Sequence, residues 1–192
     1  MKNLTALLIL AALALIAGRA SAQTHLRGQP YVQLEAGSYD TALPSLNNFA
    51  LKAGVGKYTR RLWGSMFFVS VAHKQTWLVS EGSRVLIDTP VPVDQYMAGY
   101  QLTPNLYQSA MRTFLIKLPL SLQAGYESIN RNRDFAGPYL LSPPSRLLLG
   151  GGLGLEVEYR SVLLGYRQNV NLLSKYQKFT AMPYVGYKIH FQ

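Results

Sequence analysis

The chain has 192 residues, no cysteine, and nineteen lysines and arginines against nine acidic residues, a formal net charge of +10. This length suits a single domain, and the lack of cysteine excludes disulfides, thiolate metal sites and cysteine nucleophiles. The basic residues are scattered, with only Arg60 and Arg61 adjacent, which favours a generally basic surface over a dedicated polyanion site.

The first predicted element is a secretory signal peptide over residues 1–22. Lys2 supplies the positive start, residues 4–17 form an apolar run, and Ala20-Ser21-Ala22 has the small-residue pattern of a cleavage site. The alternative is an N-terminal membrane anchor, but the run is short for that role. We therefore expect export, and a single β-barrel domain over residues 23–192.

Eight segments of alternating apolar and polar residues follow the signal peptide, a pattern typical of an antiparallel all-β protein. In chain order they cover 31–37, 48–56, 63–75, 93–102, 114–124, 147–158, 162–171 and a last segment that ends at Phe191. One face of each is apolar or aromatic, and the other carries polar side chains of both charge signs. A soluble sandwich or lipocalin buries its apolar face, whereas a membrane barrel turns that face to lipid, and alternation alone fits both.

Three further features favour a small transmembrane β-barrel of about eight strands. The segments tend to reach the length that a tilted membrane strand needs. Aromatic residues concentrate near segment ends, as in the girdles of membrane barrels: Trp63, Trp77, Tyr96, Phe114, Tyr126, Tyr159, Phe179 and Phe191. Long connections alternate with short ones, apart from 103–112, as expected when both termini lie in the periplasm. We expect the outer membrane of a Gram-negative bacterium as the location.

Two prolines conflict with regular strands at these positions. Pro119 and Pro183 each remove one donor from a ladder, and a closed barrel has no edge on which to place them. We therefore predict a β-bulge at each proline.

The polar faces supply a set of candidate ion-pairing residues for the barrel lumen. An eight-stranded interior is filled by side chains, and buried charges need partners. The candidates are Glu35, Lys52, Lys117, Glu127, Arg146, Glu156, Glu158, Arg167 and Lys188. Glu156 and Glu158 share one strand face, so a carboxylate pair with a shared proton is the alternative to pairing with cations.

No pattern for catalysis or cofactor binding is present. His25, His73 and His190 lack metal-ligand spacing, no serine, histidine and acid combine at a suggestive spacing, and the glycines at 150–154 read as a strand rather than a phosphate loop. We expect no catalytic, cofactor-binding or metal-binding residues, and a protein that is not an enzyme.

The connection 128–145 is the most individual surface feature. It contains the candidate partner-binding residues Arg131, Arg133, Phe135 and Tyr139, since exposed aromatic residues beside arginines favour protein contacts. The alternative is a proline-stiffened loop over the barrel mouth.

Two motifs carry a resemblance to a known family. Gly125-Tyr126-Glu127-Ser128-Ile129-Asn130-Arg131 is followed by the glycine-rich strand 150–158 and by a terminal strand that ends at Phe191. This order is similar to the TraO family of conjugative-transposon proteins of the Bacteroidetes, best over 111–192. The final strand also resembles the C-terminal insertion signal of outer-membrane barrels.

The resemblance implies an outer-membrane component of a conjugative DNA-transfer apparatus with a scaffolding role. Its partners would be outer-membrane lipid and other conjugation proteins, without direct nucleic-acid contact, and the family supplies no catalytic residues. Two alternatives stay open at this point: a general small barrel for adhesion or surface binding, and a lipid-modifying outer-membrane enzyme.

Overall fold

The computed structural model describes residues 26–41, 45, 47–59, 63–78, 89–129, 146–174 and 178–191, and this part of the chain is all-β. The predicted signal peptide lies outside these residues. The described residues form ten strands: β1 (Pro30–Gly37), β2 (Asn48–Tyr58), β3 (Gly64–Leu78), β4 (Thr89–Thr103), β5 (Asn105–Gln108), β6 (Phe114–Lys117), β7 (Leu120–Ile129), β8 (Arg146–Tyr159), β9 (Val162–Asn171) and β10 (Phe179–His190).

The strands close into an eight-stranded antiparallel barrel, which confirms the predicted fold. β5 continues β4 beyond Pro104, and β6 and β7 form one strand interrupted at 118–119, so ten strands occupy eight positions. The barrel closes where β1 pairs with β10, with Val32 opposite Ile189 and Ala36 opposite Val185. The described residues contain no helix that is long and apolar enough to cross a membrane.

The alternation in the sequence sorts side chains between the outer wall and the lumen. In β7, Leu122 is 76% exposed, whereas its neighbour Ser121 is buried. Across the barrel, Val55, Phe67, Leu122 and Leu164 are exposed while Lys52, Lys117 and Lys188 are buried. Successive side chains on a strand point to opposite faces, so the apolar faces form the outer wall and the polar faces fill the lumen. Tyr187 is an exception, because its position in β10 places it on the outer face and yet it is buried.

The two ends of the barrel differ. The loop end carries the connections 38–47, 79–88, 130–145 and 172–178, and the terminus end carries 59–63, 109–113 and 160–161. The sequence predicted a connection over 103–112 that did not fit the alternation of long and short connections. The structure has a shorter connection there, 109–113, because β5 extends the fourth barrel strand past Pro104. Long connections at the loop end therefore alternate with short connections at the terminus end along the chain.

The bulges predicted at the two prolines are wrong. Lys117 pairs with Glu156 and Leu120 with Leu153, so the register is unchanged across Pro119. The register of β10 against β9 is likewise continuous at Pro183. The irregularity lies instead between Asn105 and Tyr107 in β5.

The position of Pro183 explains why a proline is tolerated there. Its carbonyl accepts a hydrogen bond from the Ser38 amide (3.1 Å), just beyond the end of β1 at Gly37. The nitrogen of a strand residue points to the same side as its carbonyl, so the missing donor faces Ser38, the first residue beyond β1, rather than a residue in the middle of that strand.

Candidate functional site

The lumen contains a buried network of charged side chains, centred on an ion pair between β1 and β9. The Arg167 guanidinium donates to both carboxylate oxygens of Glu35, at 3.0 Å (Nη1–Oε2) and 3.2 Å (Nη2–Oε1). Lys52 lies opposite Glu35 on β2, with its Nζ 3.6 Å from Glu35 Oε1. Lys52 also donates to Gln101 on β4. One carboxylate is thus shared by two cations, in a fork geometry that favours arginine.

A second group of charges lies nearer the terminus end and centres on Glu158. The Nζ of Lys188 is 2.8 Å from Glu158 Oε2, and Lys117 pairs with the same oxygen. The Tyr58 hydroxyl donates to Glu158 Oε1 at 3.4 Å and lies 3.1 Å from His190 Nε2. These side chains come from four strands, β2, β6, β8 and β10, so the network ties the barrel wall together from inside.

Glu156 connects the two groups. The Tyr184 hydroxyl donates to Glu156 Oε2 at 2.9 Å, and Gln33 Nε2 donates to the same oxygen at 3.4 Å. Gln33 also donates to Glu35 at 2.7 Å, and Lys188 Nζ lies 3.7 Å from Glu156 Oε1. The ammonium of Lys188 therefore lies near both Glu156 and Glu158, the two carboxylates that the sequence places on one face of β8.

Glu127 and Arg146 lie near the loop end, apart from the other candidates. Glu127 accepts from Gln95 Nε2 and Ser174 Oγ, both at 2.8 Å. Arg146 is opposite Glu127 in the register of β7 and β8 but makes no ion pair with any residue that the structure describes. The Tyr39 hydroxyl donates to Gln95 at 2.5 Å, and burial raises the pKa of this phenol above its ordinary value, so it stays a neutral donor.

Large side chains in the lumen depend on glycines in the neighbouring strands. A Cβ atom at Gly165 on β9 would overlap the ring of Tyr184. Gly152 on β8 leaves room for Arg167, whose Cδ lies 3.2 Å from where its Cβ would be. Gly165 on β9 therefore makes space for the Tyr184 ring, and Gly152 in the glycine-rich strand β8 makes space for the Arg167 side chain, rather than for a ligand.

The filled lumen leaves little free volume. A cavity of about 30 Å³ lies between Lys52, Gln95, Gln123, Arg167 and Asn169, enough for about one water molecule. Among the described residues, no three histidine, aspartate or glutamate side chains cluster as metal ligands would. The network of buried charged side chains can hold the strands together and block the lumen.

Sequence reasoning missed several members of the network. Tyr31, Tyr39 and Tyr58 are buried, and Tyr58 lies beyond the predicted end of the second segment. The sequence could have predicted that Tyr31 points into the lumen, because Tyr31 is two residues from Gln33 and therefore lies on the same face of β1. The candidate loop residues Arg131, Arg133, Phe135 and Tyr139 lie outside the described residues.

Comparisons with known proteins agree with this architecture. A family model described as conjugative transposon protein TraO matches residues 26–191. Neisserial surface protein A (NspA) has a similar crystal structure, at 16% identity and a TM-score of 0.51, with 84% of this chain and 97% of that chain covered. The outer-membrane protein Ail of Yersinia pestis in a phospholipid bilayer nanodisc is similar at 16% identity and a TM-score of 0.49, covering 85% and 100%. No curated protein matches the chain in sequence.

Proposed function

This chain belongs to the family of the conjugative transposon protein TraO, and on that premise we propose that it is a scaffolding component of a conjugative DNA-transfer apparatus in the outer membrane. In this role the barrel is a lipid-anchored platform, and the parts of the chain outside the membrane contact other transfer proteins. The proposed role involves no chemical reaction.

The outer wall supports the membrane location. Exposed leucines, valines and aromatic residues run around the barrel, and Tyr96 lies opposite Tyr126 near the loop end, where an aromatic girdle meets the headgroups. In water such a wall would be a very large exposed apolar surface, which soluble monomers avoid. The similarity to the fold of NspA supports the same location.

The sealed lumen is the observation that carries the scaffolding role. Glu35 and Arg167 block the middle of the barrel, and Lys117, Glu158 and Lys188 block the terminus end. Opening a channel would require breaking buried ion pairs, each of which is costly to disrupt. A role as a conduit for DNA or protein is therefore disfavoured, and contacts made by the two ends are favoured.

The test is a mating assay with a donor strain that carries the complete transfer element. Deletion of this gene, with the neighbouring genes intact, is expected to abolish transfer, and a plasmid copy is expected to restore it. The outer-membrane fraction should contain the protein in a heat-modifiable form on gels. Unchanged transfer from the deletion strain would contradict the conjugative role and favour a general surface barrel, whereas recovery only in the soluble periplasmic fraction would contradict the membrane location.

A further inference from the structure

Two adjoining turns at the terminus end of the barrel each hold an arginine in a left-handed backbone conformation. Arg112 has a φ of 56° and lies in the turn between β5 and β6, and Arg160 has a φ of 58° and lies in the two-residue turn between β8 and β9. The Arg160 amide donates to the Thr113 carbonyl at 2.7 Å, so the two turns are joined. The fold therefore places these two cationic residues next to each other on the rim.

Arginine is an unfavourable residue at both positions. A left-handed backbone favours glycine, because in other residues the Cβ atom lies too close to the following carbonyl oxygen. In a two-residue hairpin connection such as 160–161, a position with positive φ strongly favours glycine, asparagine or aspartate. Residues held in this conformation cluster at binding sites. The choice of arginine in both turns therefore favours a role for the guanidinium groups themselves.

The outer wall beside these turns is aromatic. Phe114, at the start of β6, lies opposite Tyr159, at the end of β8. The ring centroids of Phe114 and Tyr107 are 6.2 Å apart, and the Arg160 guanidinium lies over the exposed Tyr159 ring, 5.6 Å from its centroid. Aromatic residues of membrane barrels form girdles at the interface between lipid and water. The two arginines, one and two residues beyond these rings, therefore lie at the height of the lipid headgroups.

The exposed cations at this end have no acidic partner in the described part of the chain. They are Arg27, Lys57, Arg112 and Arg160, and none of the four forms an ion pair with a described residue. Arg27 and Lys57 lie beside β1 and in β2, on the opposite side of the barrel from the two joined turns. Cations without counter-charges at the height of the headgroups attract anionic lipid.

We propose that the two joined turns bind the headgroup of an anionic glycerophospholipid, such as phosphatidylglycerol, in the membrane leaflet on the periplasmic side. Arg112 and Arg160 contact the headgroup phosphate, and Phe114 and Tyr159 contact the glycerol and the start of the acyl chains. This inference rests on the membrane location in the proposed function and adds a lipid preference at one place on the rim.

An acidic segment of a partner protein is the competing occupant of this site. The Arg160 guanidinium lies over a ring of the outer wall, so it faces the lipid-covered side of the barrel rather than the mouth of the lumen. In a bilayer this side is covered by phospholipid, which supplies both a phosphate for the arginines and apolar chains for the aromatic rings. The position of the site therefore favours lipid.

The test is native mass spectrometry of the full barrel in detergent, with equal amounts of phosphatidylglycerol and phosphatidylcholine of the same acyl chains. We expect preferential retention of phosphatidylglycerol. Arg112→Gly combined with Arg160→Gly should weaken this retention about fivefold for each arginine removed. The same variant should unfold in urea at the same concentration as the parent or a higher one, since glycine fits a left-handed backbone. The control, Arg27→Gln with Lys57→Gln, removes the same charge from the same end and should keep the preference.

Equal retention of the two lipids, or an equal loss in the control variant, would overturn the inference. Displacement of phosphatidylglycerol by excess inorganic phosphate would also overturn it and indicate a site for free phosphate. A glycine variant that loses both lipid and stability would contradict it too, because a structural role of the arginines would explain both losses. The mating assay separates this inference from the proposed function: if transfer needs the gene but the barrel has no lipid preference, the lipid site is wrong and the scaffolding role stands.

Discussion

Arg167 is held in the lumen by three hydrogen bonds from its two terminal nitrogens. It is buried, it faces Glu35 with both terminal nitrogens, and it also donates to Gln101 at 3.2 Å. Removing one partner of a buried ion pair leaves the other charge uncompensated, whereas removing both costs less. The stability of the barrel should therefore depend on the pair more than on either residue alone.

This leads to a double-mutant cycle. Arg167→Met is expected to lower the free energy of unfolding by about 3 kcal/mol, because Glu35 keeps a hydrogen bond from Gln33 but only Lys52, at 3.6 Å, as a cationic partner. Adding Glu35→Gln should recover part of that loss. Urea unfolding in detergent micelles measures both, with Lys178→Met as the exposed control. A loss from Arg167→Met no larger than that of the control would contradict the role assigned to the pair.

At the scale of the element, the sequence predicts where the strands lie, because the lipid-facing and lumen-facing positions alternate strictly. The sequence does not predict which charged residues form ion pairs with one another. Glu35 and Arg167 are far apart along the chain, and their contact depends on closure between β1 and β10 and on the stagger of the strands, which no single segment encodes. Tyr58 was missed for a related reason, because it sits past the point where the alternation in β2 is clear.

Proline offers a test of the β1–β10 ladder. Pro183 is tolerated because its nitrogen faces Ser38, just beyond the end of β1, so Pro183→Ala should change the free energy of unfolding little. Val185 points its amide to the same side, where Ala36 is opposite and the ladder is intact. Val185→Pro is therefore expected to cost at least about 3 kcal/mol or to prevent folding.

The comparison of these two variants is made by heat-modifiable gel mobility and urea unfolding of refolded protein. Equal effects of Pro183→Ala and Val185→Pro would contradict the register at the closing seam of the barrel.

At the scale of the whole molecule, closure and sidedness depend on each other. The lumen can hold buried charges such as Lys117 and Lys188 because the cylinder is closed and each charge meets a partner from another strand. The outer wall can be apolar because lipid replaces water around it. A soluble barrel, with its apolar side chains packed inside and its charged side chains outside in water, would have the same alternation in its sequence.

Spin-label accessibility along β7 tests that sidedness most directly. The chain has no cysteine, so single cysteines at 120–124 can each carry one nitroxide label in a bilayer-reconstituted barrel. Labels at Leu120, Leu122 and Ala124 are predicted to collide with oxygen dissolved in the bilayer, and labels at Ser121 and Gln123 with neither oxygen nor a water-soluble nickel chelate. Nickel-accessible labels at Ser121 and Gln123, together with a label at Leu122 that is shielded from both reagents, would contradict a lipid-facing outer wall.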